Sequence, residues 1–132
     1  MAEEIAAGIK AADPSLSIKL FNVASADKND VIAEVFKAKM DVAGSSTINK
    51  GFLSAMAADL EIIKGLQLKN KKTVAFGSYG WSGESPKQIQ KELIEAGFEV
   101  WKDPLGTLWN PDEEARETCR EFGRQLAEWV RP

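Results

Sequence analysis

The chain has 132 residues, of which 44% are hydrophobic and 28% charged, and its formal net charge is −3. That balance suits one folded domain of ordinary size rather than a disordered chain, and mild acidity leaves no basic footprint for nucleic acid. With no histidine, His-ligated metal sites and His-based acid–base catalysis are excluded, and the single cysteine, Cys119, rules out an internal disulfide and a Cys-built zinc or iron–sulfur centre.

Met1, Ile5 and Ile9 lie at i, i+4 and i+8, one stripe of a helix that Gly8 and then Asp13-Pro14 are expected to end. Ser17 to Val23 alternates as a strand. Asp27 then caps a helix with Ile32, Val35 and Phe36 on one side. Asp41 to Gly44 reads as a short strand, Leu53, Met56, Leu60 and Ile63 as a helix closed by Gly65, and Thr73 to Phe76 as a buried strand. Ser85-Pro86 with Gln88 resembles a cap, a proline at the first helical position and a capping-box partner, with Ser82 as an alternative cap. This helix runs to about Ala96, with Gly97 after its end. Phe98 to Trp101 is the last strand. Asp103 to Asn110 rims a site or folds as a small hairpin, with packing as the expected role of Trp109. Asn110-Pro111-Asp112-Glu113 starts a helix whose stripe is Ala115, Cys119, Phe122, Leu126 and Trp129. Cys119 on that stripe reads as a core thiol.

The resulting order, α-β-α-β-α-β-α-β-α, is that of a parallel sheet with helices on both faces. A doubly wound domain opens on a strand, whereas this chain opens on an uncapped helix with its charged amino terminus at the positive end of the dipole. A strand ahead of Met1 is therefore the expected missing element.

Ligands of open α/β sheets bind beyond the carboxyl ends of the strands. Two loops stand at such ends. Gly44-Ser45-Ser46-Thr47-Ile48-Asn49-Lys50-Gly51 offers three hydroxyls and a carboxamide, suited either to the polar edge of a heterocycle or simply to turns and caps. Gly77-Ser78-Tyr79-Gly80-Trp81-Ser82-Gly83-Glu84 frees its backbone with three glycines and carries two aromatics off any helix stripe. Those rings either stack on a flat ligand or fold back onto the next helix. The G-x-x-G-x-x-G spacing is not a dinucleotide fingerprint, and no G-x-x-x-x-G-K-[ST] occurs.

Gly77 to Glu84 closely resembles a loop of the flavodoxin-like domain of flavodiiron proteins, or A-type flavoproteins. Gly44 to Asn49 resembles that family's other flavin loop. Asn22-Val23, Asp27 and Asp30-Val31 resemble its second strand and helix. The resemblance implies an α/β, flavodoxin-like three-layer α/β/α sandwich spanning residues 1–132 as a single domain, with a parallel sheet whose first strand and phosphate loop are missing. It implies FMN as cofactor, with Ser45, Ser46, Thr47 and Asn49 contacting the ring from one side and Ser78, Tyr79, Gly80, Trp81, Ser82 and Gly83 from the other. It also implies electron transfer from a rubredoxin or flavin reductase to a diiron centre, carried elsewhere, that reduces oxygen or nitric oxide. No catalytic residue and no metal ligand is expected here. The resemblance thus implies the electron-transfer domain of an oxidoreductase, with no complete catalytic site expected in this chain.

Three departures from the family pattern shape the expectations. Ser46 stands where the family usually has proline. The diiron domain is absent. The Ser/Thr-rich phosphate loop would precede Met1, so losing several charge-assisted hydrogen bonds at roughly 1.5–3 kcal/mol each leaves FMN weak or absent. Two rivals remain: a cofactor-free binding or scaffold domain derived from the same fold, and a phospho-acceptor receiver domain, disfavoured because the strand ending at Gly44 is followed by Ser rather than Asp. Unpaired strands beside the missing one make a homo-oligomer an expected outcome. No apolar run reaches the roughly 18 residues of a membrane span, and the acidic start Met1-Ala2-Glu3-Glu4 is unlike a secretory signal, so a cytoplasmic setting without membrane contact is expected.

Overall fold

A computed structural model describes all residues except Asn49, Lys102 and Pro132. Five helices, α1 (Ala2–Ala12), α2 (Lys28–Lys37), α3 (Ser54–Leu66), α4 (Glu84–Glu95) and α5 (Glu113–Val130), surround the strands β1 (Met40–Gly44), β2 (Lys72–Tyr79), β3 (Glu99–Val100) and β4 (Leu105–Leu108). All strand pairs are parallel. β2 is central, with β1 on one edge and both β3 and β4 on the other. The fold is a flavodoxin-like three-layer α/β/α arrangement.

Period-two alternation divides the sheet between two cores. Ala43 and Ala75 join Val31, Val35, Met56, Leu60, Ile63, Ile89 and Leu93 of α2, α3 and α4 on one face. Val74 on the other face joins Ile5 and Ile9 of α1 and Phe122 and Leu126 of α5, with Met40, Val42 and Phe76 packed at the margin. Cys119 is buried in this second core, which raises its thiol pKa, as expected of a core thiol.

Several expected boundaries move, each for a physical reason. Ser17 to Val23 does not enter the sheet, because a strand needs a neighbour's N–H and C=O groups and none among the described residues faces it. Gly8 does not end α1. It lies inside the helix, where a Cβ would come within 2.0 Å of the Arg120 carbonyl oxygen. Gly65 likewise sits inside α3, and Gln67 in the left-handed region (φ 49) closes that helix. Phe36 turns to solvent while Val31 takes its place on the buried stripe of α2. The Asp27 carboxylate caps α2 as expected, accepting from the Asn29 N–H at 2.8 Å.

Neither Ser82 nor Ser85 caps α4. The cap position is Gly83, and Ser85 and Pro86 are buried in the first turn. The far end of α4 is a Schellman turn: the Gly97 N–H (φ +96) donates to Ile94 O and the Phe98 N–H to Leu93 O. Asp103 to Asn110 is no hairpin. Leu105–Leu108 continues the last strand along β2 after an interruption, since two residues separate Thr73 from Phe76 but four separate their partners Val100 and Leu105. Asp112, not Asn110, caps α5 and accepts from the Ala115 N–H at 2.8 Å.

Helices α1 and α5 run in the same direction, with Glu4 bridged to Arg120 (2.7 Å) and Asp13 to Arg131 (3.4 Å). Gly8 and Gly123 let the two backbones touch, because a Cβ on Gly123 would meet Ile5 O at 2.1 Å. The end of α5 is held by Trp129, which stacks on Trp101 (5.6 Å) under the Lys72 ammonium (4.8 Å). Asp41 of β1 lies on the α3 face. Its carboxyl is pushed up to about 6, first by burial and then by the Asp59 carboxylate, with Lys71 opposing.

Two predictions follow from this packing. Gly123→Ala forces the helices apart and should lower stability by roughly 2–3 kcal/mol in urea unfolding, whereas Gly65→Ala, with open space around it, should raise it by about 0.5–1 kcal/mol. Because the folded chain holds a proton on Asp41 that the unfolded chain has lost, stability should fall as pH rises from 3.8 to about 6. The fall should be roughly 2 kcal/mol at most, since Asp41 keeps part of its surface in water, and Asp41→Asn should flatten this stretch of the pH–stability curve.

Candidate functional site at the carboxyl ends of β1 and β2

The segments that follow β1 and β2 are zipped together. Ladder bonding continues past Gly44: the Ser45 N–H donates to Phe76 O (3.2 Å) and the Thr47 N–H to Ser78 O (2.9 Å). Gly77 to Tyr79 therefore belong to β2 rather than to a loop. The two segments approach so closely at Gly77 that a Cβ there would lie 2.3 Å from Ser45 O and 2.9 Å from Ser85 Oγ. Ser85 is fully buried. Its hydroxyl donates to Ser45 O (2.8 Å) and accepts from Thr47 Oγ1 (2.9 Å), which in turn accepts from the Ser85 N–H (3.2 Å).

The remaining hydroxyls divide by role. Ser45 Oγ accepts from the Leu53 N–H and donates to Ser46 O, both at 2.9 Å, so it shapes its own loop. Ser46 and Ser78 place their hydroxyls 3.3 Å apart on the surface. The Ile48 and Gly51 backbones bond each other in a tight turn, with Lys50 at φ 60, and the Gln88 amide donates to Lys50 O (2.6 Å). Asn49, expected to contact the cofactor, lies outside the described residues.

The aromatics lie on the other side of this seam. Trp81 is 99% exposed, so it does not fold back onto α4. Tyr79 lies against Gly83, where a Cβ would come within 3.0 Å of the ring. Gly80 lies under Trp109, whose ring would be 2.7 Å from a Cβ. Trp109 is 67% exposed, has φ 54, and donates its N–H to Tyr79 O at 2.8 Å. It lies against Gly80 and the Tyr79 carbonyl instead of packing in the core. The Glu84 carboxyl is held below the usual carboxylate range, chiefly by the neighbouring Ser82 hydroxyl. The N–H groups of Trp81, Ser82 and Gly83 have no partner among the described residues.

The expected set thus splits. Ser45, Thr47 and the unforeseen Ser85 build the seam. Ser46, Ser78, Trp81 and the unforeseen Trp109 are presented at the surface. The sequence marked Ser85 only as a helix cap, because its partners Ser45 and Thr47 lie about forty residues earlier, and Trp109 was hidden by the interruption of the last strand. Two surface concavities lie outside the seam. One of about 510 Å³ is between β4 and α5, and one of about 430 Å³ is framed by Met1, Asn110, Pro111 and Arg116 at the starts of α1 and α5.

The sequence model of the flavodoxin family matches residues 1–123. The chain belongs to the flavodoxin family. This flavodoxin-family chain is 48% identical over 131 residues to an anaerobic nitric oxide reductase flavorubredoxin of Pectobacterium carotovorum, covering 98% of this chain and 26% of that one. It is 47% identical over 127 residues to the protein of the same description from Vibrio vulnificus, covering 96% and 26%. It spans about a quarter of the length of these curated relatives. Among solved structures it resembles a flavodoxin from the domain Archaea (28% identity, TM-score 0.85, 98% of this chain and 87% of that one). It also resembles the rubredoxin oxygen:oxidoreductase of Desulfovibrio gigas (28% identity, TM-score 0.87, 98% and 32%). No helix among the described residues is long and apolar enough to cross a membrane.

The seam yields a prediction. Ser85→Ala and Thr47→Val should each cost about 1–2 kcal/mol in urea unfolding, and the double variant should cost clearly less than their sum, because both remove one shared network.

Proposed function

We propose that residues 1–132 form one domain that binds the ring of FMN at the seam and carries electrons. The observation that carries the reading is a fully exposed Trp81 in the same segment as Tyr79, whose carbonyl holds Trp109, together with the paired hydroxyls of Ser46 and Ser78 and the N–H groups of Trp81 to Gly83, which have no partner among the described residues. Large aromatics are left in water at a cost, and a planar ring laid on them recovers apolar contact. Free N–H donors and hydroxyls beside that platform suit the polar edge of an isoalloxazine. Gly80 and Gly83 fit the same purpose, since a side chain at either would displace the Trp109 or Tyr79 ring.

When bound, the flavin supplies one-electron chemistry. The protein's own residues position it. Ser45, Thr47 and Ser85 fix the seam, Ser46 and Ser78 present hydroxyls, and Tyr79, Trp81 and Trp109 set the stacking surface. None acts as acid, base or nucleophile. The names of a nitric oxide reductase flavorubredoxin and a rubredoxin oxygen:oxidoreductase among the relatives support a rubredoxin-type donor and an oxygen- or nitric oxide-reducing centre outside these residues; a flavin reductase as alternative donor, a diiron centre as acceptor and a cytoplasmic setting are part of the same proposal. The hydroxyls, N–H groups and aromatics of residues 44–51 and 77–84 suit the ring of FMN, and the reading is made for the ring.

Titration with FMN and with riboflavin, followed by tryptophan and flavin fluorescence, tests this reading. The two ligands should bind within about tenfold of each other, and Trp81→Ala should weaken both by about tenfold, from roughly 1–1.5 kcal/mol of stacking. Stoichiometric FMN carried through gel filtration would overturn the ring-only reading. Binding that ignores Trp81, or no flavin binding at all, would overturn the site.

A further inference from the structure

Helix α4 holds the segment after β1 at two points. Ser85 and Gln88 lie three residues apart, on one face of the helix. Ser85 is buried and bonds Ser45 O (2.8 Å) and Thr47 Oγ1 (2.9 Å) at the base of the segment. Gln88 is exposed, and its amide donates to Lys50 O (2.6 Å) at the tip. A buried hydroxyl between two partners leaves the base little freedom, whereas a single bond in contact with water opens and closes readily. The segment is therefore fixed at its base and latched at its tip.

The tip needs that latch. Ile48 and Gly51 exchange both backbone bonds (2.9 and 2.8 Å), which closes the turn, and Lys50 within it has φ 60. A lysine in the left-handed region carries a Cβ penalty that glycine escapes, so the turn is strained at Lys50. Gln88 holds the carbonyl of that same strained residue. Gly51 leaves room for it, since a Cβ there would lie 3.2 Å from Gln88 Oε1. The Glu84 carboxylate, four residues earlier in α4, attracts Lys50 as well. Ile48, in the same turn and two residues after Ser46, is half-exposed, so the place of the tip sets the place of an apolar side chain at the seam.

We propose that Gln88 is a positioning residue: by holding Lys50 O it keeps the 48–51 turn, and with it Ile48, in place beside a flavin ring bound at the seam. This role rests on the flavin reading of the seam. Gln88 acts through the turn and not on the ring. Without the latch the binding-competent arrangement is only partly populated, and the apparent affinity falls by that fraction. A neutral amide suits the task, because it donates to a carbonyl without adding charge to a helix turn that already carries Glu84 and Lys87.

Two variants of the full chain test this. Gln88→Met keeps the side chain's length and removes the donor, and Gln88→Arg restores a donor. Amide hydrogen exchange, followed by NMR, reads the latch without flavin. In Gln88→Met the Ile48 and Gly51 amides should exchange at least about tenfold faster, while the Thr47 amide, bonded to Ser78 O, and the urea midpoint stay unchanged. Riboflavin titration reads the site. Affinity should fall about three- to tenfold in Gln88→Met and return to within roughly twofold of the unmodified chain in Gln88→Arg. Unchanged exchange at Ile48 and Gly51 overturns the latch. Faster exchange with unchanged riboflavin affinity overturns its role at the site. A loss of affinity that Gln88→Arg does not recover, with a lowered urea midpoint, marks a general structural effect and overturns positioning. An unmodified chain that binds no riboflavin overturns the flavin reading instead, and the exchange measurement then decides the latch by itself.

Discussion

The close approach of Gly77 to Ser45 is the contact on which the rest of the site depends. Two strand ends can be zipped past the sheet only if no side chain stands between them, and at Gly77 the space is already filled by Ser45 O, Ser85 Oγ and the Pro86 ring. The Ser85 hydroxyl then satisfies what this approach leaves buried, accepting from one hydroxyl and donating to one carbonyl of the facing segment. A buried hydroxyl with both partners in place is a hinge pin with little freedom, so the exposed groups next to it inherit a fixed frame. The start of α4 is locked in the same act, because Ser85 belongs to its first turn.

The helical layers transmit that order across the molecule. On the α1/α5 side, backbone-to-backbone contact at Gly8 and Gly123 brings two helices close enough to cover β2. The Trp101–Trp129 stack and Lys72 fix the far end of α5 to the beginning of the central strand. The near end of α5 begins just after Trp109, so a helix anchored at both ends sets where that ring falls beside Tyr79 and Gly80. The interruption between β3 and β4 serves the same placement, since two extra residues re-aim the strand and return it to pairing beside the carboxyl end of β2.

The opposite edge follows a different logic. Asp41 and Asp59 bring two carboxylates into a region otherwise built of Val31, Val35, Met56 and Leu60. Charge there is tolerated through Lys28 and Lys71 at the margin rather than through direct hydrogen bonds. Among the described residues β2 is paired on both sides, while β1 and the β3/β4 strand form the two edges of the sheet.

The sequence by itself determined the α/β class, the helix stripes and the two loops worth attention, because periodicity and turn chemistry are local. Ile5 and Ile9, Met56 to Ile63, and Cys119 to Leu126 are buried on the stripes that their spacing dictates. Asp27 and Gly97 act where their chemistry places them. Only the tertiary structure decided what depends on distant partners. Ser17 to Val23 has the alternation of a strand and lacks a neighbour to make it one. Gly8 looks like a helix terminator and is a crossing point. Ser85 looks like a cap and is a pin between two segments, and Trp109 looks like core and stands in water beside the site. In each case the residue's local preference is satisfied in more than one way, and the contact that chooses among them comes from a part of the chain that local pattern does not reach.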